Sequence, residues 1–153
     1  MTDPYSLTLA RCSAVEYLTR REHASDELRN KLKRKGFEPS VIDCVLIQLR
    51  EDKLLSDERF VESFVRTQTN KGYGPLRIQQ ELQKRSLGGE WVKDLLDINH
   101  VDWMTHARIA REKRFGYGVP QNQREFAKQV RFLQNRGFTQ AQIQSSFSYE
   151  DDY

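Results

Sequence analysis

The sequence predicts an all-α protein made of three tandem three-helix repeats that stack into an elongated, curved array. Three observations carry that expectation. Apolar residues recur at three- and four-residue steps along most of the chain, and no segment alternates as a strand would. The pattern also repeats. Leu32-x-x-x-Gly36-Phe37 with Ile42 matches Leu82-x-x-x-Ser86-Leu87 with Val92, and both match Leu133-x-x-x-Gly137-Phe138 with Ile143, at offsets of 50 and 51 residues. Such a period is the mark of a repeat array. Finally, 37% of the 153 residues are hydrophobic and 31% are charged. That is little apolar material for one compact globule, and it suits small units that bury their faces against neighbours. The expected boundaries are 1–54, 55–99 and 100–149, followed by an acidic tail at 150–153.

Taken in order, Leu7, Ala10, Ala14 and Leu18 put one buried stripe on a helix from Ser6 to Thr19, which the polar run Arg20-Arg21-Glu22-His23 ends. Ser25 is the expected cap of a second helix, with Asp26 and Glu27 placed well against its N-terminal dipole and Gly36 as its stop. Pro39 suits the first turn of a third helix, whose buried side is Val41, Ile42, Val45, Leu46 and Leu49. Ser56 or Asp57 can cap the next, which turns Phe60, Val61, Phe64 and Val65 inward. In Lys71-Gly72-Tyr73-Gly74-Pro75 two glycines permit a sharp turn, and Pro75 then starts an amphipathic helix with Ile78 and Leu82 on one face. Further helices are expected at Glu90–Asn99, Val101–Arg114, Gln123–Asn135 and Gln140–Phe147, with a glycine-rich loop over 115–120. Phe60, Phe64, Trp91 and Trp103 fall on helical stripes and are expected in the core.

Lys plus Arg number 25 against 22 acidic residues, so position matters more than the net charge of +3. Basic residues gather on or beside the second helix of each repeat, while acids favour helix starts, the third helix and the tail. A cationic stripe that recurs three times is the electrostatic footprint of a binder of polyanions or acidic surfaces. For any single cation, complementing a helix C-terminus is explanation enough. Tyr73, Phe115 and Tyr117 sit in glycine turns beside basic residues, where a ring either closes the turn or meets a partner.

Catalytic signatures are missing. Gly72-Tyr73-Gly74-Pro75 lacks the Gly-Lys-Ser/Thr of a phosphate loop, and His23, His100 and His106 form no metal-ligand spacing. Cys12 and Cys44 lie far apart, which reads as reduced thiols in a soluble cytoplasmic protein. No apolar run approaches the roughly 20 residues that span a bilayer.

The blocks Arg21-Glu22-His23 with Glu27-Leu28-x-x-Lys31-Leu32, Leu55-x-Asp57-x-Arg59-Phe60-Val61, Lys71-Gly72-Tyr73-Gly74-Pro75-x-Arg77-Ile78-x-x-Glu81-Leu82 and Arg131-Phe132-Leu133-x-x-Arg136-Gly137-Phe138 resemble the RecX family of regulatory proteins. They occur in family order and cover nearly the whole chain. The resemblance implies three three-helix repeats and a non-enzymatic regulator, with no catalytic residue, metal or cofactor. Its implied partner is the RecA recombinase, mainly as its filament on single-stranded DNA, whose ATPase, strand-exchange and coprotease activities it would restrain as a monomer. The competing reading is a helical nucleic-acid-binding protein that meets single- or double-stranded DNA without RecA. On either reading the expected contact residues are Lys31, Arg34, Lys35, Arg66, Lys71, Gly72, Tyr73, Gly74, Arg77, Lys84, Arg85, Arg111, Lys113, Arg114, Lys128 and Arg131. Two positions depart from the family pattern: Ser86 and Lys53 stand where glycine is usual, and Gly88-Gly89 are expected to supply the turn missing at Ser86.

Overall fold

The structure is a computed structural model that describes residues 4–98 and 102–147. Among the described residues there are nine helices and no strand: α1 (Pro4–Arg20), α2 (Ser25–Arg34), α3 (Pro39–Glu51), α4 (Asp57–Asn70), α5 (Pro75–Gln83), α6 (Glu90–Ile98), α7 (Trp103–Phe115), α8 (Gln123–Asn135) and α9 (Gln140–Ser146). The predicted acidic tail lies outside the described residues. The chain divides into two compact units, Met1–Ser63 with Arg85–Leu87, and Phe64–Lys84 with Gly88–Tyr153.

In the first unit, Ala10 and Ala14 let α1 approach α3 closely, and Leu28, Leu32, Val41, Ile42, Val45, Leu46, Leu49 and Leu55 complete the core. The start of α2 is held from a distance. Ser25 is the first helical residue rather than the expected cap, and its N–H and hydroxyl donate to Asp57 Oδ1 and Oδ2 at 2.8 and 3.1 Å. A carboxylate is the stronger acceptor for an N-terminal N–H, and it also satisfies the buried serine hydroxyl. Asp57 is therefore free of capping its own helix, where Ser56 Oγ accepts from the Arg59 N–H at 3.2 Å. Arg21 meets Glu27 through two parallel bonds of 2.9 and 2.7 Å, and Arg59 donates to Glu22 at 3.0 Å.

His23 lies between these pairs, buried, with Nδ1 3.0 Å from the Arg21 carbonyl and Nε2 2.8 Å from Lys31 Nζ. The consistent tautomer is neutral, with Nδ1–H donating and Nε2 accepting from the lysine. Burial pushes its pKa below the ordinary value, and the Arg21 and Lys31 charges push the same way against the opposing carbonyl bond and Glu27. The unfolded imidazole takes up a proton near pH ~6.5, which the folded one resists. This contribution to stability is thus complete above about pH 6.5 and is lost as pH falls toward the folded pKa. Thermal melts at pH ~7.5 and ~5.5 should show a fall in Tm at the lower pH, and the fall should shrink in His23→Gln.

The second unit has a core of Ala107, Ala110, Leu133, Phe138 and Ile143, flanked by Trp103, Val130, Phe132 and Phe147. Trp91 corrects the sequence reading: it is 38% exposed, because α6 is a nine-residue helix whose buried line runs through Val92 and Leu96. Trp91 sits about 100° round from that line. Phe60 is buried as expected, whereas Phe64 and Trp103 are half-buried.

The repeat register reappears atom by atom. Leu32, Leu82 and Leu133 are fully buried, as are Ile42, Val92 and Ile143 to within 2%. The turn after each Leu is left-handed: φ is +92° at Gly36, 60° at Ser86 and +94° at Gly137. At both ends of the series the N–H two residues past the C-cap returns to the buried leucine, Phe37 to Leu32 at 3.3 Å and Phe138 to Leu133 at 3.2 Å, the Schellman closure. Ser86 therefore adopts the glycine-like turn itself rather than passing it to Gly88-Gly89, and Gly89, at +100°, makes a second one ahead of α6. Lys53 does the same after α3, with φ 62° and a bond from Leu54 N to Leu49 O of 2.9 Å. Each non-glycine residue held this way costs about 1–2 kcal/mol.

Candidate functional site

Two glycine turns meet in the second unit. Gly74 N–H donates to the Arg136 carbonyl at 2.7 Å, and Leu76 N–H donates to the Gly137 carbonyl at 2.9 Å. The first turn of α5 thus finds acceptors for two of its orphan N–H groups in the α8–α9 turn. The backbones are so close that a Cβ on Gly74 would lie 2.6 Å from the carbonyl carbon and oxygen of Gly137 and from Phe138 N. Reciprocally, a Cβ on Gly137 would meet Arg77, with its nitrogen at 2.5 Å. Gly74, expected as a contact residue for a partner, is buried at this crossing.

The aromatic of the same turn joins it. Tyr73 is half-buried, with the Arg77 guanidinium 4.1 Å and the Arg136 guanidinium 5.0 Å from its ring centroid. Arg136 also lies 5.1 Å from the Phe132 ring centroid, and its Nη1 reaches the Lys71 carbonyl at 3.5 Å. The ring faces satisfy cations without removing their charge. Arg136 was absent from the expected contact residues. Its signal lay in the repeat, since Lys35, Arg85 and Arg136 all directly precede the left-handed turn residue of their repeat.

The other expected residues fall into three groups. Lys31 and Arg34 are on α2 and Lys35 follows it, with Lys31 Nζ and Lys35 Nζ 4.8 and 4.9 Å from the Tyr17 ring centroid. Arg66 is on α4 and Arg77 on α5, with Lys71 and Gly72 between those helices and Lys84 and Arg85 directly after α5; Lys84 pairs with Glu81 at 3.1 Å. Lys113 and Arg114 close α7, while Lys128 and Arg131 lie exposed on α8.

Arg111 does not belong with them. It is 0% exposed, donates from Nη2 to the Ser146 carbonyl at 2.9 Å, and lies 4.7 Å from the Phe147 ring centroid. A cation here meets the last carbonyl of α9, which is a structural task. The sequence shows three cations within 111–114, but Arg111 shares the buried face of α7 with Ala107 and Ala110, so it points into the core.

One cavity adjoins the turn. It measures about 490 Å³ and is lined by Thr69, Asn70, Lys71, Gly72, His106, Ile109, Ala110, Lys113, Arg114, Phe132 and Arg136. Among the described residues no carboxylate lines it. Thr69 is 8% exposed, and its Oγ1 has no hydrogen-bond partner among the described residues. Among those residues there is also no group of three or more metal-ligating side chains, and no helix long and apolar enough to cross a membrane.

Three family models match the chain in register: RecX first three-helix domain over residues 10–49, second over 56–96 and third over 102–146. The chain is 43% identical over 142 residues to Regulatory protein RecX of Halorhodospira halophila, covering 93% of this chain and 88% of that one. It is 38% identical to the protein of that name from Pseudomonas entomophila, covering 94% and 92%, and 37% identical to that from Vibrio parahaemolyticus, covering 92% and 90%. The crystal structure of RecX from Lactobacillus salivarius superposes with a TM-score of 0.78 at 22% identity, over 92% of this chain and 94% of that one. A second crystal structure of regulatory protein RecX gives a TM-score of 0.77 at 23% identity, over 91% and 71%.

Proposed function

Since the chain belongs to the RecX family of regulatory proteins, we propose that it binds the RecA recombinase, chiefly its filament on single-stranded DNA, and restrains the filament's ATPase, strand-exchange and coprotease activities. It acts as a cytoplasmic monomer and does no chemistry of its own. The observation that carries this reading is the cluster of cations around the Gly74–Gly137 crossing. Lys71 and Arg77 lie exposed on one turn, and Arg136 holds that turn through Tyr73. Around a rigid backbone contact, such charges are presented in fixed positions, which suits a repeating anionic surface better than freely moving side chains would. Occupying the filament's groove would hinder nucleotide turnover and access by other proteins.

The test is RecA's DNA-dependent ATPase measured with rising amounts of the protein, beside a DNA-only binding control. The wild type should inhibit. A Lys71→Glu, Arg77→Glu, Lys84→Glu, Arg85→Glu variant, checked for helicity by circular dichroism, should need on the order of 1,000-fold more protein for the same effect, since removing each of four favourable charge contacts costs of order 1 kcal/mol. Absence of inhibition by the wild type, or undiminished inhibition by the folded variant, would refute the proposal.

A further inference from the structure

The cavity beside the glycine crossing has a composition that the binding of a flat anionic surface does not require. Acids nearly equal cations over the whole chain, 22 against 25, yet among the described residues this cavity is lined by four Lys and Arg residues and a histidine with no acid. Lys71, Lys113 and Arg114 are exposed and make no carboxylate ion pair among the described residues. The remaining wall is apolar: Ile109, 49% exposed, with Ala110 and the edge-stacked ring of Phe132. Thr69 adds a hydroxyl that is buried and unused among the described residues. A cationic rim, an apolar and aromatic wall and a spare hydroxyl, in a space within the ~300–1,000 Å³ typical of small-ligand pockets, match a base joined to a phosphate. A bare carboxylate or phosphate would leave the apolar wall unoccupied.

We propose that this cavity binds one nucleotide, its phosphate held by Lys71, Lys113 and Arg114 and its base laid against Ile109. The proposal sharpens the reading of these three cations as partner contacts, and it rests on that reading. The nucleotide can be free or one unit of a single strand, because both offer the same phosphate and base.

The experiment titrates the full chain, followed by amide NMR shifts, with inorganic phosphate, deoxyadenosine monophosphate, a 12-nucleotide oligo-dT and an acidic hexapeptide. The monophosphate should shift amides of 69–72 and 106–114 and bind about 5-fold or more tightly than inorganic phosphate, as burying about 40 Å² of apolar surface at about 25 cal/mol per Å² would give. A single-strand site should bind the oligonucleotide more tightly than the monophosphate, and a free-nucleotide site the reverse. Ile109→Ala removes the apolar contact at an exposed position without changing charge and should weaken the monophosphate about 5-fold. For the oligonucleotide, Lys113→Ala/Arg114→Ala should reduce the slope of log affinity against log salt by about 0.7, one phosphate contact's worth, while Arg50→Ala leaves it unchanged. Inorganic phosphate binding as well as the monophosphate, tighter binding of the peptide, or wild-type affinity in Ile109→Ala would each overturn the proposal. RecA inhibition measured in parallel separates the two readings. Inhibition without nucleotide binding sinks only the pocket, and nucleotide binding without inhibition sinks only the RecA reading.

Discussion

Gly137→Ala should lower the stability of the protein by about 3–4 kcal/mol, whereas Gly36→Ala, at the matching position of the first repeat, should cost about 1 kcal/mol. Both glycines have φ near +90°, so the left-handed penalty of about 1–2 kcal/mol is common to them. They differ in what a methyl group would meet. At Gly36 there is nothing within 4 Å, while at Gly137 the backbone and Cβ of Arg77 already occupy the space. Forcing them apart costs roughly 1–3 kcal/mol of overpacking and disturbs the bonds at Gly74 and Leu76 as well. At about 2–4 °C per kcal/mol for a chain of this size, Tm should fall by on the order of 10 °C in one variant and a few degrees in the other. Gly74→Ala tests the same crossing without the left-handed term, because Gly74 is extended, with φ −95° and ψ 174°. It should fall between the two. Equal, small losses in all three would mean that the two turns are not held together as described.

The second large effect concerns Arg111. Truncation to alanine removes the long side chain that fills the space between α7 and α9, and the expected loss is about 2–4 kcal/mol. Arg111→Met keeps most of the volume and removes the charge. Of the guanidinium nitrogens, Nε and Nη1 are buried without a partner among the described residues, so much of the desolvation cost of the cation is uncompensated. Methionine gives up the bond to the Ser146 carbonyl but escapes that cost, so it should come within about 1 kcal/mol of wild type. Urea titrations of the three proteins decide between the roles. If methionine were as damaging as alanine, the charge rather than the volume would be what matters. The proposed RecA inhibition should survive Arg111→Met, since the side chain is not at the surface.

Much of this was legible in the residues. The leucine and isoleucine or valine positions that set the repeat are all at most 2% exposed, because periodicity in a helix directly reports which face is shielded. The two departures from glycine were visible as letters, but their resolution was not. Whether Ser86 and Lys53 bend the chain elsewhere or pay the left-handed cost depends on how firmly the flanking helices fix the turn, which is a tertiary quantity. Arg111 failed for a related reason. Three cations within four residues read as a surface; direction around α7 separates Arg111 from Lys113, and only its place a turn before the helix end separates it from Arg114, which lies on the same side. The contact of Gly74 with Gly137 left no local trace at all, since either glycine is sufficiently explained by its own turn.

That crossing also bears on the order in which the second unit assembles. Helix turns and their Schellman closures link residues only a few positions apart and can form within microseconds. The bond from Arg136 to the Lys71 carbonyl, by contrast, joins groups 65 residues apart. Closing a loop of that length carries an entropy cost that short-range contacts do not face, so the two turns should engage late, after α5 and α8 exist as helices. An interaction absent from the folding transition state acts mainly on the rate of unfolding. The glycine pair is then a latch on the lifetime of the folded unit, with little influence on how quickly that unit is reached.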